Sequence, residues 1–272
     1  MHYGSTLPDK YCAFIDILGF RSYVRGMSSS SEGRKRVSAA KKLFDRLEKE
    51  RMRLEKERAE LQSEQTERGT ANLTLELTSF SDSIIISGPT EGDDALGSFL
   101  WMVTRMATAC VIGGFLVRGA VVLGKIYHSG NVAFGPALVE AVTLEAEHAK
   151  MPRVILAHSV RQRFSANTTE TKFVVSEDGP VCLHMLSVFE DVANRTCQAD
   201  WDKVYKEDKY IRRRIEHIEK IDIFLRDNLE KARDYPQIYE KYVWFARYFT
   251  DYVVKRGNDT AKGWPRLVSY SF

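Results

Sequence analysis

The sequence is poor in cysteine and contains no cysteine motif. Its four cysteines, Cys12, Cys110, Cys182 and Cys197, are widely separated, and none forms a C-x-x-C pair. Zinc sites and dithiol redox centres commonly use such pairs, so the sequence gives no support for either. We therefore predict that the cysteines are reduced and serve as small apolar residues of the core.

The sequence also lacks a long apolar run and a strong excess of charge. No run approaches the roughly 20 residues of a membrane span, and the first residues do not resemble a secretion signal. The 40 basic and 37 acidic residues leave a formal net charge of +3, and Arg212–Arg214 are followed closely by Glu216 and Glu219. We expect a cytoplasmic protein that binds neither membranes nor nucleic acid.

The first half of the chain alternates strand and helix patterns. Residues 11–15 form an apolar run that ends at Asp16, which is typical of a buried central strand. Residues 34–68 are nearly all helix formers and predict one or two long charged helices. Leucines alternate over residues 73–77, and residues 84–86 are Ile-Ile-Ile, which predicts a hairpin with Asp82 at its tip.

The later segments complete a mixed α and β pattern. A buried helix is predicted over 94–113, a second hairpin from 115–123 and 125–134, and a helix from Pro136 to about residue 150. The order predicts an α+β sandwich of palm-like or ferredoxin-like type, with the helices on one face of a mainly antiparallel sheet. We assign residues 1–200 to one domain, with the long helix inserted, and residues 201–272 to a helical extension.

Asp16 and Asp82 are the residues that suggest chemistry. Carboxylates at a strand end and a hairpin tip can lie side by side at one edge of a sheet and bind hard divalent cations. Two such cations support phosphoryl transfer by stabilising the attacking and the leaving oxygen. An Asp at a turn with no such role is a common alternative.

The residues around each Asp resemble class III nucleotide cyclases. The segments are Phe-Ile-Asp-Ile-Leu-Gly-Phe at 14–20 and Phe-Ser-Asp-Ser at 80–83. The resemblance implies that Asp16, Asp82 and the carbonyl of Ile17 bind two Mn²⁺ or Mg²⁺ ions. It also implies that the backbone amides of Leu18, Gly19 and Phe20 bind phosphate oxygens.

The resemblance continues to about residue 157, with two departures. Val-Arg-Gly-Ala at 117–120 and Phe-Gly-Pro-Ala-Leu-Val-Glu-Ala at 134–141 match the family. However, Thr78 stands where purine cyclases have a Lys that reads the base, and Val139 and Thr143 stand where the family has an Asn and an Arg that stabilise the transition state. Arg118 or Lys150 would have to replace that Arg.

These departures favour a pyrimidine substrate. The sequence resembles the uridylate and cytidylate cyclases of the bacterial Pycsar antiphage defence, which implies UTP, or else CTP, as substrate. The cyclic product would activate a separate effector without direct contact. Thr78, Ser79 and Asn131 are candidate readers of the base, and ordinary polar strand residues are the alternative.

A homodimer is implied as well, with Arg118 and the helix from Pro136 facing the carboxylates of the partner. Glu140 and Glu145 either orient cations or are solvated, and His128 and His148 are expected at the surface. An adenylate or guanylate cyclase, a noncatalytic nucleotide-binding module and a diguanylate-type transferase remain alternatives. The transferase lacks support because its Gly-Gly-acidic-acidic hairpin is absent.

Overall fold

The computed structural model describes residues 7–65, 75–92, 95–164, 173–176, 178–189 and 208–251. The strands are β1 (Asp9–Ile17), β2 (Glu76–Phe80), β3 (Ser83–Pro89), β4 (Val117–Lys125), β5 (Tyr127–Ser129), β6 (Val132–Phe134), β7 (Val154–Leu156), β8 (Phe173–Val175) and β9 (Val181–Leu183). The helices are α1 (Phe20–Arg25), α2 (Ser31–Gln65), α3 (Ala95–Ile112), α4 (Pro136–His148), α5 (His158–Arg161), a 3₁₀ helix (Met185–Phe189), α6 (Lys209–Lys231) and α7 (Pro236–Phe249).

Seven strands form one sheet in the order β2-β3-β1-β4-β7-β9-β8. Every neighbouring pair is antiparallel except β4 and β7, which are parallel. The first four strands, with α2 between β1 and β2 and α3 between β3 and β4, have the order of a ferredoxin-like βαββαβ unit. The predicted α+β fold with a mainly antiparallel sheet is confirmed.

Helices cover both faces of this sheet. Successive side chains of a strand point to opposite faces. Tyr11 of β1 packs on Phe99 of α3, with 5.5 Å between ring centroids. Its neighbour Cys12 packs with Ala137 and Ala141 of α4. The expectation that all helices lie on one face is therefore wrong, because β1 is apolar on both faces and needs a cover on each.

The second predicted hairpin is also wrong in its pairing. Strand β4 runs through Lys125 and pairs with β1 and β7, whereas β5 and β6 form a separate two-stranded hairpin. Its turn contains Gly130, with φ 57°, followed by Asn131. This dipeptide is a sequence signal for a two-residue hairpin turn, which places both short strands after residue 125.

One described helix, α3, is apolar and long enough by composition and length to cross a membrane. In the fold, 78% of its apolar window is buried. Arg105 on the same helix is buried and pairs with Glu50 of α2. These contacts make α3 a core helix of this structure.

Residues 186–272 form a second compact unit. Within it, Asp208 caps the start of α6 by accepting hydrogen bonds from the amides of Tyr210 and Ile211. Phe224 of α6 packs edge to face against Tyr242 of α7. The predicted domain boundary near residue 200 lies outside the described residues and stays a prediction.

Candidate active site

Asp16 and Asp82 meet at the carboxyl end of β1. In the sheet Asp16 is opposite Ser83 of β3 and Arg118 of β4. The amide of Ile17 donates to the carbonyl of Asp82 over 2.7 Å, which fixes the β2–β3 turn against β1. In this turn Ser81 adopts φ 57°, and it is the only non-glycine with positive φ among the residues that the structure describes. The fold thus brings two carboxylates that are distant in the sequence to the carboxyl end of the central strand β1.

Arg118 and Glu145 complete a charged cluster with these carboxylates. Nε of Arg118 donates to Oδ2 of Asp16 over 3.2 Å. The same Nε lies within ion-pair distance of Oε1 of Glu145 on α4. The side chain of Asp16 is 22% exposed and that of Arg118 is 27% exposed, whereas that of Glu145 is only 5% exposed.

The pKa of both Asp16 and Glu145 is raised. For Asp16 burial is the main cause, and the charge of Asp82 adds to it, while Arg118 and Arg21 lower the pKa. For Glu145 burial again dominates and Asp16 adds to it, while Arg118 opposes both. Burial disfavours the ionised carboxyl because the low-dielectric interior solvates charge poorly. The cluster thus contains three carboxyl groups, those of Asp16, Asp82 and Glu145, against the guanidinium groups of Arg118 and Arg21.

This excess of carboxylate fits a divalent cation at Asp16 and Asp82. Hard cations bind carboxylate oxygens, and a cation would relieve the repulsion between the two side chains. Among the residues that the structure describes, no group of three or more His, Cys, Asp or Glu could hold a metal. Backbone carbonyl, phosphate or water oxygens would therefore have to supply the remaining ligands.

The turn after β1 has an open backbone at Gly19. Gly19 has φ 74° and precedes α1, and a Cβ added there would meet no atom within 4 Å. The amide of Leu18, however, donates to the carbonyl of Leu116 over 2.9 Å. The prediction that this amide binds phosphate is not supported, because its hydrogen is already used. The amides of Gly19 and Phe20 remain candidates.

Thr78 belongs to a neutral polar network. Its hydroxyl donates to the carbonyl of Gly130 over 2.6 Å and lies 2.9 Å from Nε2 of His128. Nδ1 of His128 lies 2.9 Å from the hydroxyl of Ser87. These bonds join the β5–β6 hairpin to β2 and β3. The hydroxyl hydrogen of Thr78 is thus used within the protein, which does not support its predicted role as a reader of the base.

His128 is buried, so its predicted surface position is wrong, while His148 is exposed as expected. Ser79 is exposed, but it pairs with Ile84, which pairs with Ile15. Ile15 and its neighbour Asp16 point to different faces of the sheet, so the side chains of Ser79 and Asp16 lie on different faces. The predicted contact of Ser79 with the base is contradicted by this register. The exposed Asn131 at the hairpin turn remains a candidate.

Arg118 also differs from its predicted placement. It contacts Asp16 of its own chain, whereas the resemblance placed it opposite the carboxylates of a partner. Lys150 is exposed just after α4, and no described ion pair involves it. Of these two predicted cations, Arg118 is therefore the one that the structure brings to Asp16.

One residue of this region was given no role from the sequence, and the role of a second was left open. Phe80 lies in the same row of the sheet as Asp16, through Ser83, and its side chain is 81% exposed. Thr78 and Phe80 are two residues apart on β2, so the strand period already placed both side chains on the same face of the sheet. Glu145 was left open between two roles, because only the packing of α4 shows that it is buried.

No protein-family model matches the chain, and no curated protein matches it. Among solved structures, the chain is similar to a bacterial light-regulated adenylyl cyclase at 14% identity and a TM-score of 0.38. The match covers 65% of this chain and 51% of that one, so the chain spans about half the length of the matched structure.

Proposed function

We propose that this chain is a nucleotide cyclase that converts a pyrimidine nucleoside triphosphate to its 3′,5′-cyclic monophosphate and pyrophosphate. UTP is the preferred substrate and CTP the second choice. The observation that carries the proposal is the meeting of Asp16 and Asp82 at the end of β1, in contact with Arg118 through Asp16.

The reaction joins the ribose 3′ oxygen to the α-phosphorus. The bond from that phosphorus to the bridging oxygen of the β-phosphate breaks, the 3′ hydroxyl loses its proton to solvent, and pyrophosphate leaves. Two Mn²⁺ or Mg²⁺ ions, when bound, would lower the pKa of the hydroxyl and neutralise the phosphates. Asp16, Asp82 and the carbonyl of Ile17 would hold these ions.

The remaining roles fall to cationic and amide donors. Arg118 has further N–H groups besides the Nε–H that it gives to Asp16, and these can donate to phosphate oxygens. The amides of Gly19 and Phe20 would bind phosphate at the open turn before α1. Lys150 is a less favoured donor because of its exposed position beyond α4.

The preference for a pyrimidine rests on the absence of a base-reading Lys at position 78, which is Thr in this chain. A Lys that reads purines in related cyclases is replaced by this short side chain, and its hydroxyl is held by His128 and Gly130. The same bonds hold the hairpin whose turn carries the exposed Asn131. Asn131 can donate and accept hydrogen bonds at the edge of a base.

We further propose that the active form is a homodimer and that the product acts as an antiphage signal on a separate effector. Support for a dimer comes from apolar side chains that are exposed on the α4 side of the sheet. They are Phe80, Tyr127, Val132, Phe134, Val139 and Val142. Tyr127 and Phe134 stack with 5.1 Å between their ring centroids. Exposed apolar side chains that lie together usually mark an interaction site.

The test is to incubate the purified full chain with each of the four ribonucleoside triphosphates and Mn²⁺, and to identify the products by mass. Cyclic UMP or cyclic CMP would support the proposal, while cyclic AMP or GMP would identify a purine cyclase. Linear dinucleotides would identify a transferase, and binding without turnover a noncatalytic module. Glu140→Gln, on the exposed side of α4, is a matched control for Asp16→Asn.

A further inference from the structure

Glu145 is a buried carboxylate in a helix whose other acidic side chains are exposed. Glu140 and Glu147 lie on the solvent side of α4, whereas Glu145 faces the sheet. Burying a carboxylate is unfavourable unless a counter-charge and hydrogen bonds compensate for the lost water. The position of Glu145 therefore needs a partner, and Arg118 is in contact with it.

Arg118 is shared between two carboxylates. Its Nε carries one hydrogen, and this hydrogen is donated to Oδ2 of Asp16. Oε1 of Glu145 lies within ion-pair distance of the same nitrogen and is screened from solvent. One N–H is thus placed between two carboxylate oxygens that compete for it.

We propose that Glu145 is a positioning residue that takes over Arg118 when Asp16 turns to a divalent cation. The oxygen of Asp16 that accepts the hydrogen bond from Arg118 is less available as a ligand for a divalent metal ion. Arg118 can leave Asp16 without becoming an unpaired, half-buried charge, because Glu145 is already within reach. The inference rests on the proposed cation site at Asp16 and Asp82.

A simpler role for Glu145 would be to attach α4 to β4 through Arg118. In that case its removal would lower stability and leave cation binding at Asp16 unchanged. A second simple role is its general negative charge near the site, which would act equally with or without Arg118. Both alternatives can be separated from the proposal by measuring binding of Mn²⁺ alone.

The experiment measures the dissociation constant of Mn²⁺ for the full chain without nucleotide, by electron paramagnetic resonance of free Mn²⁺. Glu145→Gln should weaken binding roughly tenfold, as is typical when a residue that supports a metal ligand is lost. Arg118→Gln should tighten binding about threefold, the size expected when a partly exposed ion pair no longer competes. Added to Arg118→Gln, Glu145→Gln should change binding by less than about twofold, because coupled residues are not additive.

The control variants remove the same charges without the contacts. Glu147→Gln lies on the same helix, and Arg21→Gln removes a cation that acts on Asp16 only through space. Each should change the dissociation constant by less than its matched variant does. Equal effects within either pair would overturn the proposal in favour of general electrostatics.

Asp16→Asn separates failure of this inference from failure of the proposed function. If Asp16→Asn binds Mn²⁺ as the wild type does, the cation site itself is wrong. If Asp16→Asn loses binding but Glu145→Gln does not weaken it, only the role of Glu145 is wrong. Should circular dichroism show that Glu145→Gln is unfolded, an unchanged Mn²⁺ affinity in Arg118→Gln would still overturn the proposal.

Discussion

Two polar clusters lie on the α4 side of the sheet, and they are satisfied in opposite ways. The cluster of Thr78, His128 and Ser87 is neutral, and each side chain has a protein partner at hydrogen-bond distance. The cluster of Asp16 and Glu145 with Arg118 is charged, and its two carboxylates share one N–H of Arg118.

This difference indicates what each cluster does. A buried polar network with its bonds made fixes one arrangement of the chain, here the attachment of the β5–β6 hairpin. A cluster with more carboxylate than counter-charge has unused capacity for a positive ligand. We therefore propose a structural role for the first cluster and a role in cation binding for the second.

The largest effect that would test this assignment is loss of turnover. Asp16→Asn or Asp82→Asn should reduce cyclic nucleotide formation by at least about a hundredfold, since cations at such sites contribute several kcal/mol to transition-state stabilisation. Product formation is measured by mass spectrometry, and the fold by circular dichroism. Glu140→Gln should retain activity, and an active Asp16→Asn protein would refute the assignment.

Removing a member of the neutral network should affect stability instead. Ser87→Ala leaves Nδ1 of His128 without this partner in a buried position. An unsatisfied buried group costs about 1–3 kcal/mol, which urea unfolding would measure. Mn²⁺ affinity should stay within about twofold of the wild type, as expected for a variant whose changed group is not a metal ligand or its support. A tenfold change in the Mn²⁺ affinity of Ser87→Ala would mean that the neutral cluster also supports cation binding, which would contradict the assignment.

Addition of Mn²⁺ should stabilise the protein only through the charged cluster. At a free concentration ten times the dissociation constant, binding to the folded state adds about 1.4 kcal/mol to the free energy of unfolding. The shift should appear in the wild type and in Ser87→Ala and be absent in Asp16→Asn. An equal shift in Asp16→Asn would mean that Mn²⁺ binds elsewhere.

The smallest effect is a difference in pH dependence. Burial lowers the pKa of His128 below its ordinary value of 6.5, so the stability that neutral His128 contributes is present above that pH and declines as the pH falls. Burial raises the pKa of Glu145 above its ordinary value of 4.5, so its contribution to stability declines as the pH rises through that region.

Urea unfolding between about pH 4 and 8 measures both slopes, the range in which such carboxyl and imidazole groups titrate. Glu145→Gln should gain stability relative to the wild type as the pH rises above 4.5. His128→Gln should lose the decline that the wild type shows below pH 6.5. For each variant, the difference in unfolding free energy between wild type and variant is plotted against pH. Slopes of the same sign in the two plots would contradict the opposite pKa shifts of His128 and Glu145.

The sequence predicted the parts of this fold that depend on local pattern. The apolar run before Asp16 indicated a buried strand, and Pro136 marks the first residue of α4 as expected. The long charged segment became α2, although residues 66–68 lie outside the described residues. These features follow from strand and helix periodicity and from proline at a helix start.

The missed features depend on contacts across the sheet. The face of Ser79 and the partners of Thr78 follow from strand register and from the docking of a hairpin that begins 49 residues beyond Thr78, at Tyr127. The contact of Arg118 with Asp16 follows from the pairing of β4 with β1. Burial of Glu145 requires α4 on the second face of the sheet, which the sequence pattern did not indicate.

The most direct test of the central claim is a crystal structure of the full chain with Mn²⁺ and a nonhydrolysable UTP analogue, with Mn²⁺ located by anomalous scattering. We predict Mn²⁺ bound by the carboxylates of Asp16 and Asp82, at roughly 2.1 Å as for a small divalent cation, with the triphosphate against it. An ordered nucleotide whose Mn²⁺ lies away from both aspartates would contradict the account.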